Sequence, residues 1–230
     1  MTGKMFAACA ALLMMGTTVC RAQTPPQTVP GTIDWKVAAL PSIQATEGNP
    51  QIVETVLGPA VQFDGKQDAW FLDTNPLKGM KEATIEVIFK PDGDGDFAQR
   101  FLHMGLLRGE RIMFETRVNP DRTWYFDAHT SLSDGNKLTL IDSALHHPTD
   151  RWYNVTLIVY RNMLVTYVNG SPQRWGNLTF LPIDEGITSV GVRQNKVCWF
   201  KGQMYRIRIT PKALLPRDLL KDYEELNKAL

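Results

Sequence analysis

The stretch W-Y-N-V-T-L-I-V-Y-R-N-M-L-V-T-Y-V-N-G, Trp152 to Gly170, decides the fold class. It holds two runs of alternating apolar residues. Tyr153, Val155, Leu157 and Val159 share one face of the first, and Leu164, Thr166 and Val168 share one face of the second. Side chains on a strand repeat every two residues, so the pair reads as a β-hairpin. Arg161-Asn162 is the expected turn, because asparagine tolerates the positive φ of tight hairpin turns. Asn169-Gly170 supplies the next turn on the same ground.

Similar signals recur on both sides of the hairpin. Ala60 to Phe63 leads into the turn dipeptide Asp64-Gly65, and Ala69 to Leu72 follows. Thr84 to Lys90 alternates, with Ile85, Val87 and Phe89 opposite Thr84, Glu86, Ile88 and Lys90. Phe101 to Gly105 is short and apolar. Arg111 to Val118 sets Ile112, Phe114, Thr116 and Val118 against Arg111, Met113, Glu115 and Arg117. Thr123 to His129 is rich in aromatics, and Thr188 to Val192 and Trp199 to Ile209 complete the series. Short strands at this spacing, separated by turn residues, predict an all-β, two-sheet antiparallel sandwich. The expected helix is C-terminal, over 216–230, where Leu219, Leu220, Tyr223 and Leu226 recur at spacings of three and four after Pro216. A tail that is unfolded in solution is the alternative for that segment.

The N-terminus reads as an address. Lys4 precedes an apolar run from Met5 to Met15, and Cys20-Arg21-Ala22 offers cleavage before Gln23. Residues 1–22 are thus expected to be a signal peptide, and the protein secreted or periplasmic. A lipoprotein acylated on Cys20 is the alternative, although Val19 departs from the small residue that lipid attachment prefers. Cleavage leaves 208 residues (230 less 22) and lowers Lys plus Arg from 25 to 23, against 24 Asp plus Glu. That near-neutral balance gives no general pull toward nucleic acid or anionic lipid. No other apolar run is long enough to span a bilayer. Cys198 is the one cysteine left after cleavage, so no internal disulfide is expected, and beside Trp199 and Phe200 it reads as buried. Residues 23–30, with three prolines, form a linker, and 31–230 form one domain.

Five segments, in order, resemble a known family. They are F-D-G-K at Phe63 to Lys66, A-T-I-E-V-I-F-K-P at Ala83 to Pro91, R-W-Y-N-V-T-L-I-V-Y at Arg151 to Tyr160, T-Y-V-N-G at Thr166 to Gly170, and F-K-G-Q-M-Y-R-I-R-I at Phe200 to Ile209. Together they are similar to the laminin-G-like, concanavalin-A-like lectin/glucanase jelly-roll domains of secreted bacterial proteins. The resemblance implies two sheets of six or seven strands, one bent so that its outer face is concave, with carbohydrate on that face or at the loop rim. It also implies a possible structural calcium, without naming its ligands. Such folds host lectins, glycosidases, lyases and adhesion modules, so the fold alone does not choose among them.

Several residues carry chemistry. The polar sides of three strands hold Glu86 and Lys90, then Arg111, Glu115 and Arg117, then Tyr125, Asp127 and His129. On one surface these would offer guanidinium forks for carboxylate or sulfate and flat rings for sugars. A solvated face of weak ion pairs is the plain alternative. Glu86, Glu115 and Asp127 are the candidate catalytic acids. However, glucanases of this fold carry E-x-D-x-x-E on one strand, and that run is absent, which sets binding ahead of hydrolysis. Arg193, Asn195 and Trp199 are candidate rim residues, joined by Arg100 and His103.

Asp92, Asp94 and Asp96 open like a calcium loop, but Phe97 and His103 stand where an EF-hand requires Gly and Glu. His103, His129, His146 and His147 match no zinc spacing, and no G-x-S-x-G nucleophile motif is present. No cofactor is expected beyond that possible calcium. The expected function is a non-catalytic module for a glycan or cell-surface polysaccharide. A polysaccharide-active enzyme and a domain binding another secreted protein are the alternatives.

Overall fold

The computed structural model describes residues 29–230. The leader, Cys20 and most of the 23–30 linker lie outside the described residues. In chain order the strands are β1 (Ile33–Lys36), β2 (Ile43–Glu47), β3 (Gln51–Thr55), β4 (Gly58–Asp64), β5 (Ala69–Leu72), β6 (Ala83–Pro91), β7 (Ala98–Gly105) and β8 (Arg111–Val118). They continue as β9 (Thr123–Ser131), β10 (Lys137–Ile141), β11 (His147–Pro148), β12 (Tyr153–Tyr160), β13 (Met163–Val168), β14 (Ser171–Asn177), β15 (Ile187–Val190) and β16 (Lys201–Thr210). They form two eight-stranded antiparallel sheets. Sheet A runs β14-β13-β12-β6-β16-β4-β3, with β1 also on β16. Sheet B runs β10-β9-β8-β7-β15-β5-β2, with β11 also on β9. All-β sandwich architecture is therefore what this chain adopts.

The hairpin of β12 and β13 closes as its sequence requires. Tyr160 pairs with Met163 across a two-residue turn, and Arg161 there has φ of 53°. Asn169 and Gly170 turn the chain into β14 with φ of 51° and 75°. Asn169 also anchors that turn, because its Oδ1 accepts the Asn154 backbone N–H at 2.8 Å.

Alternation then sorts side chains between core and exterior. Ile85, Val87 and Phe89 from sheet A meet Phe101, Phe114, Trp124 and Phe126 from sheet B in one apolar cluster. Phe89 stacks on Phe101 at 4.7 Å between ring centres, and Phe114 meets Phe126 edge-on at 5.1 Å. Buried aromatics of this kind dominate core energetics, and truncation of one to alanine costs roughly 3–5 kcal/mol.

The outer face of sheet A is closed by the C-terminal segment. Ile88, Trp152, Tyr205, Leu220 and Leu226 form a second apolar cluster there. Trp152 is thus a buried anchor. Its backbone N–H donates to Asn227 Oδ1 at 2.8 Å, and its carbonyl accepts from Asn227 Nδ2 at 2.8 Å. The expected helix over 216–230 is shorter in the structure: a 3₁₀ turn spans Pro216–Asp218, and helix α1 spans Asp222–Asn227. The reason is local. Leu220 between them donates its N–H to Glu86 Oε1 and offers its carbonyl to Asn154 Nδ2, so its backbone groups serve the sheet below rather than a helical ladder. Among the described residues, no helix is long and apolar enough to cross a membrane.

Candidate functional site

The polar sides of β7, β8 and β9 converge on the outer face of sheet B. Register fixes the arrangement. Arg100 lies opposite Glu115, Glu115 opposite Asp127, and Arg117 opposite Tyr125. Met113 stands between His103 and His129. From Arg117 to Arg111 the face extends over six residue steps of β8, about 20 Å at ordinary strand rise.

At its centre, one guanidinium bridges two acids. Arg117 Nη2 reaches Glu115 Oε2 at 2.9 Å and also binds Asp127 Oδ2, which Nε approaches at 3.1 Å. Arg100 Nε lies 3.1 Å from Glu115 Oε1, although its N–H is not well aimed at that oxygen. Both carboxylate side chains are 3% exposed, and Arg100 and Arg117 cover them at 16% and 18%. Burial, and then the negative charge of Asp127, hold the Glu115 carboxyl above the usual range.

One end of the face is aromatic. Phe97, in the β6–β7 loop, is 55% exposed, meets Tyr125 edge-on at 6.5 Å, and lies 5.9 Å from the Arg117 guanidinium. His146 also stacks on Tyr125, at 6.1 Å between ring centres.

The other end is basic. Arg111 Nη2 lies 3.4 Å from His129 Nε2, and His129 Nδ1 lies 2.8 Å from Thr139 Oγ1. Donation by arginine makes Nε2 the acceptor, so His129 is neutral with its proton on Nδ1. His103 is fully buried. Its Nε2 lies 3.0 Å from the Leu106 carbonyl, and its Nδ1 accepts the Gln194 N–H at 3.4 Å. Burial, with nearby arginine charge, pushes both histidines down to about 4.

The 193–199 loop is held against this end. Gly191, at φ of 89°, starts it at a point where a Cβ would sit 2.5 Å from the Phe63 ring. Gln194 Nε2 then donates to the carbonyls of Gly105 and Ile187 at 3.0 and 2.9 Å, and the Arg100 N–H donates to the Cys198 carbonyl at 2.8 Å. Arg193 thereby lies close enough to Arg111 for its charge to act on it. Asn195 is exposed at the loop tip. Trp199 is half-buried against Phe71, Val192 and Ile187, on the same outer face but nearer the sheet edge. Cys198 is a free, half-buried thiol.

The expected residues thus divide. Arg100, His103, Glu115, Arg117, Tyr125 and Asp127 share the face, and Arg193 borders it. Glu86 and Lys90 do not: β6 lies in sheet A, and alternation turns them to the opposite outer surface. Glu86 is fully buried there against Arg208, Asn154 and Leu220, so it is not an acid of the same site. Asp92, Asp94 and Asp96 are engaged separately. Gln62 donates to Asp92 at 3.0 Å, Lys201 pairs with Asp94 at 2.6 Å, and the Asp96 carbonyl accepts from Gln99. Among the described residues, no group of three His, Cys, Asp or Glu converges to hold a metal ion. Sequence reasoning placed Arg111 on the polar side of β8 among the guanidinium forks but missed Phe97, which nothing local distinguishes from a turn residue.

The sandwich agrees with a family match. Residues 64–219 fit the family model described as the concanavalin A-like lectin/glucanases superfamily. The chain belongs to that superfamily. A search of curated proteins finds no match. Among solved structures, the native heptameric SAP-like pentraxin of Limulus polyphemus is similar at a TM-score of 0.54 and 16% identity, covering 68% of this chain and 77% of the pentraxin. The ligand binding domain of botulinum neurotoxin serotype D, solved with N-acetylneuraminic acid, is similar at a TM-score of 0.59 and 13% identity. That alignment covers 78% of this chain and 45% of the toxin domain. At these identities the likeness is one of fold.

Proposed function

We propose that the chain is an exported, non-catalytic glycan-binding module that uses the outer face of sheet B. One observation carries this reading. The face that lacks a C-terminal cover sets an exposed ring, Phe97, beside partly exposed guanidiniums above a buried carboxylate pair. A sugar presents a flat apolar side and a rim of hydroxyls. Phe97 suits the first, and Arg100 and Arg117 suit the second. A cavity of about 470 Å³ on the outer face of sheet A, lined by Glu54, Lys90, Trp152, Gln203 and Leu226 among others, brings together one acidic and one basic side chain and no arginine. One structural relative is solved in complex with N-acetylneuraminic acid, which supports an acidic sugar as a ligand class for the fold. Export rests on the N-terminal apolar run.

The test is a glycan array followed by calorimetry on the best ligand. Binding by the wild type that falls at least about tenfold in Phe97→Ala and in Arg117→Ala supports the reading. Absence of binding to neutral and acidic polysaccharides alike, or binding indifferent to both changes, overturns it.

A hydrolytic reading draws on Glu115 and Asp127, which face each other across β8 and β9. Glycoside cleavage needs two acids in reach of the same bond. Here both are covered by arginine. Reducing-end release abolished by Glu115→Gln would establish that reading in place of the first.

A further inference from the structure

We infer that Arg111 and Arg193 form a seat for one oxyanionic group of the ligand, a uronate carboxylate or a sulfate ester, at the basic end of the sheet B face. This rests on the glycan-binding reading and names the ligand class.

Of the four arginines around the face, Arg100 and Arg117 are paired with Glu115 and Asp127. Among the described residues, Arg111 and Arg193 form no ion pair with a carboxylate within 4.0 Å. Arg111 donates instead to the Gly109 carbonyl at 2.7 Å and toward His129 at 3.4 Å. Each of these two arginines also holds a buried Nε–H with no acceptor, as Arg100 does; what sets them apart is the missing carboxylate partner. Buried donors are ordinarily satisfied, and an unmet one is unfavourable by about 1–3 kcal/mol. Register brings their backbones together: Gly105 pairs with Arg111 across β7 and β8, and the Gly105 carbonyl accepts from Gln194, the neighbour of Arg193, at 3.0 Å. Arg111 is a strand residue opposite Ser131, and the loop that carries Arg193 is held by the Gln194 contacts to Gly105 and Ile187.

An anion on their partly exposed side chains offsets the repulsion between the two charges. Guanidinium forks bind planar carboxylate and tetrahedral sulfate in this way. Surrounding groups favour a negative ligand over a cation. His103 and His129 are uncharged at neutral pH, and Arg100 and Lys137 add positive potential. Glu115, the acid whose field reaches Arg111, is already neutralised by Arg117. Phe97 lies at the far end, roughly 20 Å away along the strand direction, so one extended chain could contact both.

The experiment uses the described domain with dextran, dextran sulfate, polygalacturonate and inorganic sulfate as probes, at constant ionic strength. Calorimetry compares the wild type with Arg111→Gln, Arg193→Gln and Arg111→Lys, each first shown to melt cooperatively. His129 is followed by NMR titration. The expected result is tighter binding of an acidic polymer than of dextran, reduced about tenfold or more by either glutamine variant and only partly restored by lysine. Preference for dextran sulfate identifies a sulfate ester, and preference for polygalacturonate a carboxylate. Inorganic sulfate should raise the His129 pKa in the wild type and not in Arg111→Gln, a response that a merely structural arginine would not produce. Acidic polymers bound no better than dextran, with His129 indifferent to sulfate, overturns the seat. If dextran still binds through Phe97 and Arg117, the glycan-binding reading survives that failure. If no polymer binds but His129 responds to sulfate through Arg111, the seat stands and the glycan reading falls.

Discussion

Glu86 and Glu115 occupy comparable positions on opposite outer faces of the sandwich. Each lies on a central strand, each is buried, and each is paired with arginine. Their surroundings differ. Glu86 accepts the Leu220 N–H at 2.6 Å and an Asn154 amide at 3.2 Å and binds Arg208, all beneath the C-terminal segment. Acid and base are matched, and an apolar cluster seals them. On the face around Glu115, Arg100, Arg111, Arg117 and Arg193 outnumber Glu115 and Asp127, and the C-terminal segment packs on the other sheet. The comparison separates structural burial of charge from charge left in surplus. Buried carboxylates alone would not have told the two faces apart.

The largest expected effect falls on the sealed face. Glu86→Ala strands the Leu220 N–H and removes the partner of Arg208, which should cost roughly 3–5 kcal/mol of folding stability in urea denaturation. Glu86→Gln keeps an acceptor for Leu220 and should lose less. Neither change should alter glycan binding by the folded protein. A Glu86→Ala protein of unchanged stability would show that the C-terminal segment does not seal that face as described.

Acid should test the open face next. His103 titrates near 6.5 when unfolded and at about 4 when folded. Between those values the unfolded state binds the extra proton. The His103 contribution is therefore complete above about pH 6.5 and is lost as pH falls toward 4, by on the order of 2–3 kcal/mol. The groups that set this are the burial of the ring, opposed by its hydrogen bond to the Leu106 carbonyl, and the charges of Arg111 and Arg193, with His129 adding its own charge only as it too protonates near 4. In His103→Gln the amide can still donate to the Leu106 carbonyl but does not titrate. Its stability should decline less steeply than wild type between pH 6.5 and 4 in the same denaturation assay. Parallel slopes would refute the assignment of a neutral, buried His103.

A smaller change probes how the seal is fastened. Asn227 makes two hydrogen bonds to the Trp152 backbone from the end of α1. Asn227→Ala should cost about 1–2 kcal/mol, measured by chemical denaturation, and leave ligand binding intact. An effect below about 0.3 kcal/mol would place the grip of the segment in Leu220 and Leu226 rather than in these bonds.

How much of this is legible in the sequence follows from periodicity. A period of two specifies which residues of one strand share a face, so alternation alone groups Glu115 with Arg117 and Tyr125 with Asp127. It does not specify the sheet to which a strand belongs. Alternation therefore groups Glu86 with Glu115, although β6 and β8 lie in opposite sheets. The helix expected over 216–230 falls short for a related reason. Leucine spacing signals an apolar stripe, but the backbone of Leu220 answers to Glu86 and Asn154, 134 and 66 positions earlier. Both misreadings come from contacts remote in sequence. The hairpin at Trp152–Gly170 is legible because its register depends on two adjacent turns.

Phe97 gives the smallest expected stability change and the sharpest contrast with Trp152. Both are large aromatic residues near a cation: Lys90 lies 6.0 Å from the Trp152 ring, and Arg117 lies 5.9 Å from the Phe97 ring. Trp152 is 2% exposed and packed under α1, so its ring works for the fold. Phe97 is 55% exposed and has only Tyr125 as an aromatic neighbour among the described residues. Surface truncations away from buried contacts usually stay within about 0.5 kcal/mol, and Phe97→Ala should do so in urea denaturation. If the ring is a sugar platform, the same variant loses affinity for the best array ligand while its melting curve is unchanged. Loss of stability without loss of binding would instead make Phe97 a clamp on the β6–β7 loop. The ligand would then be held by the arginines alone.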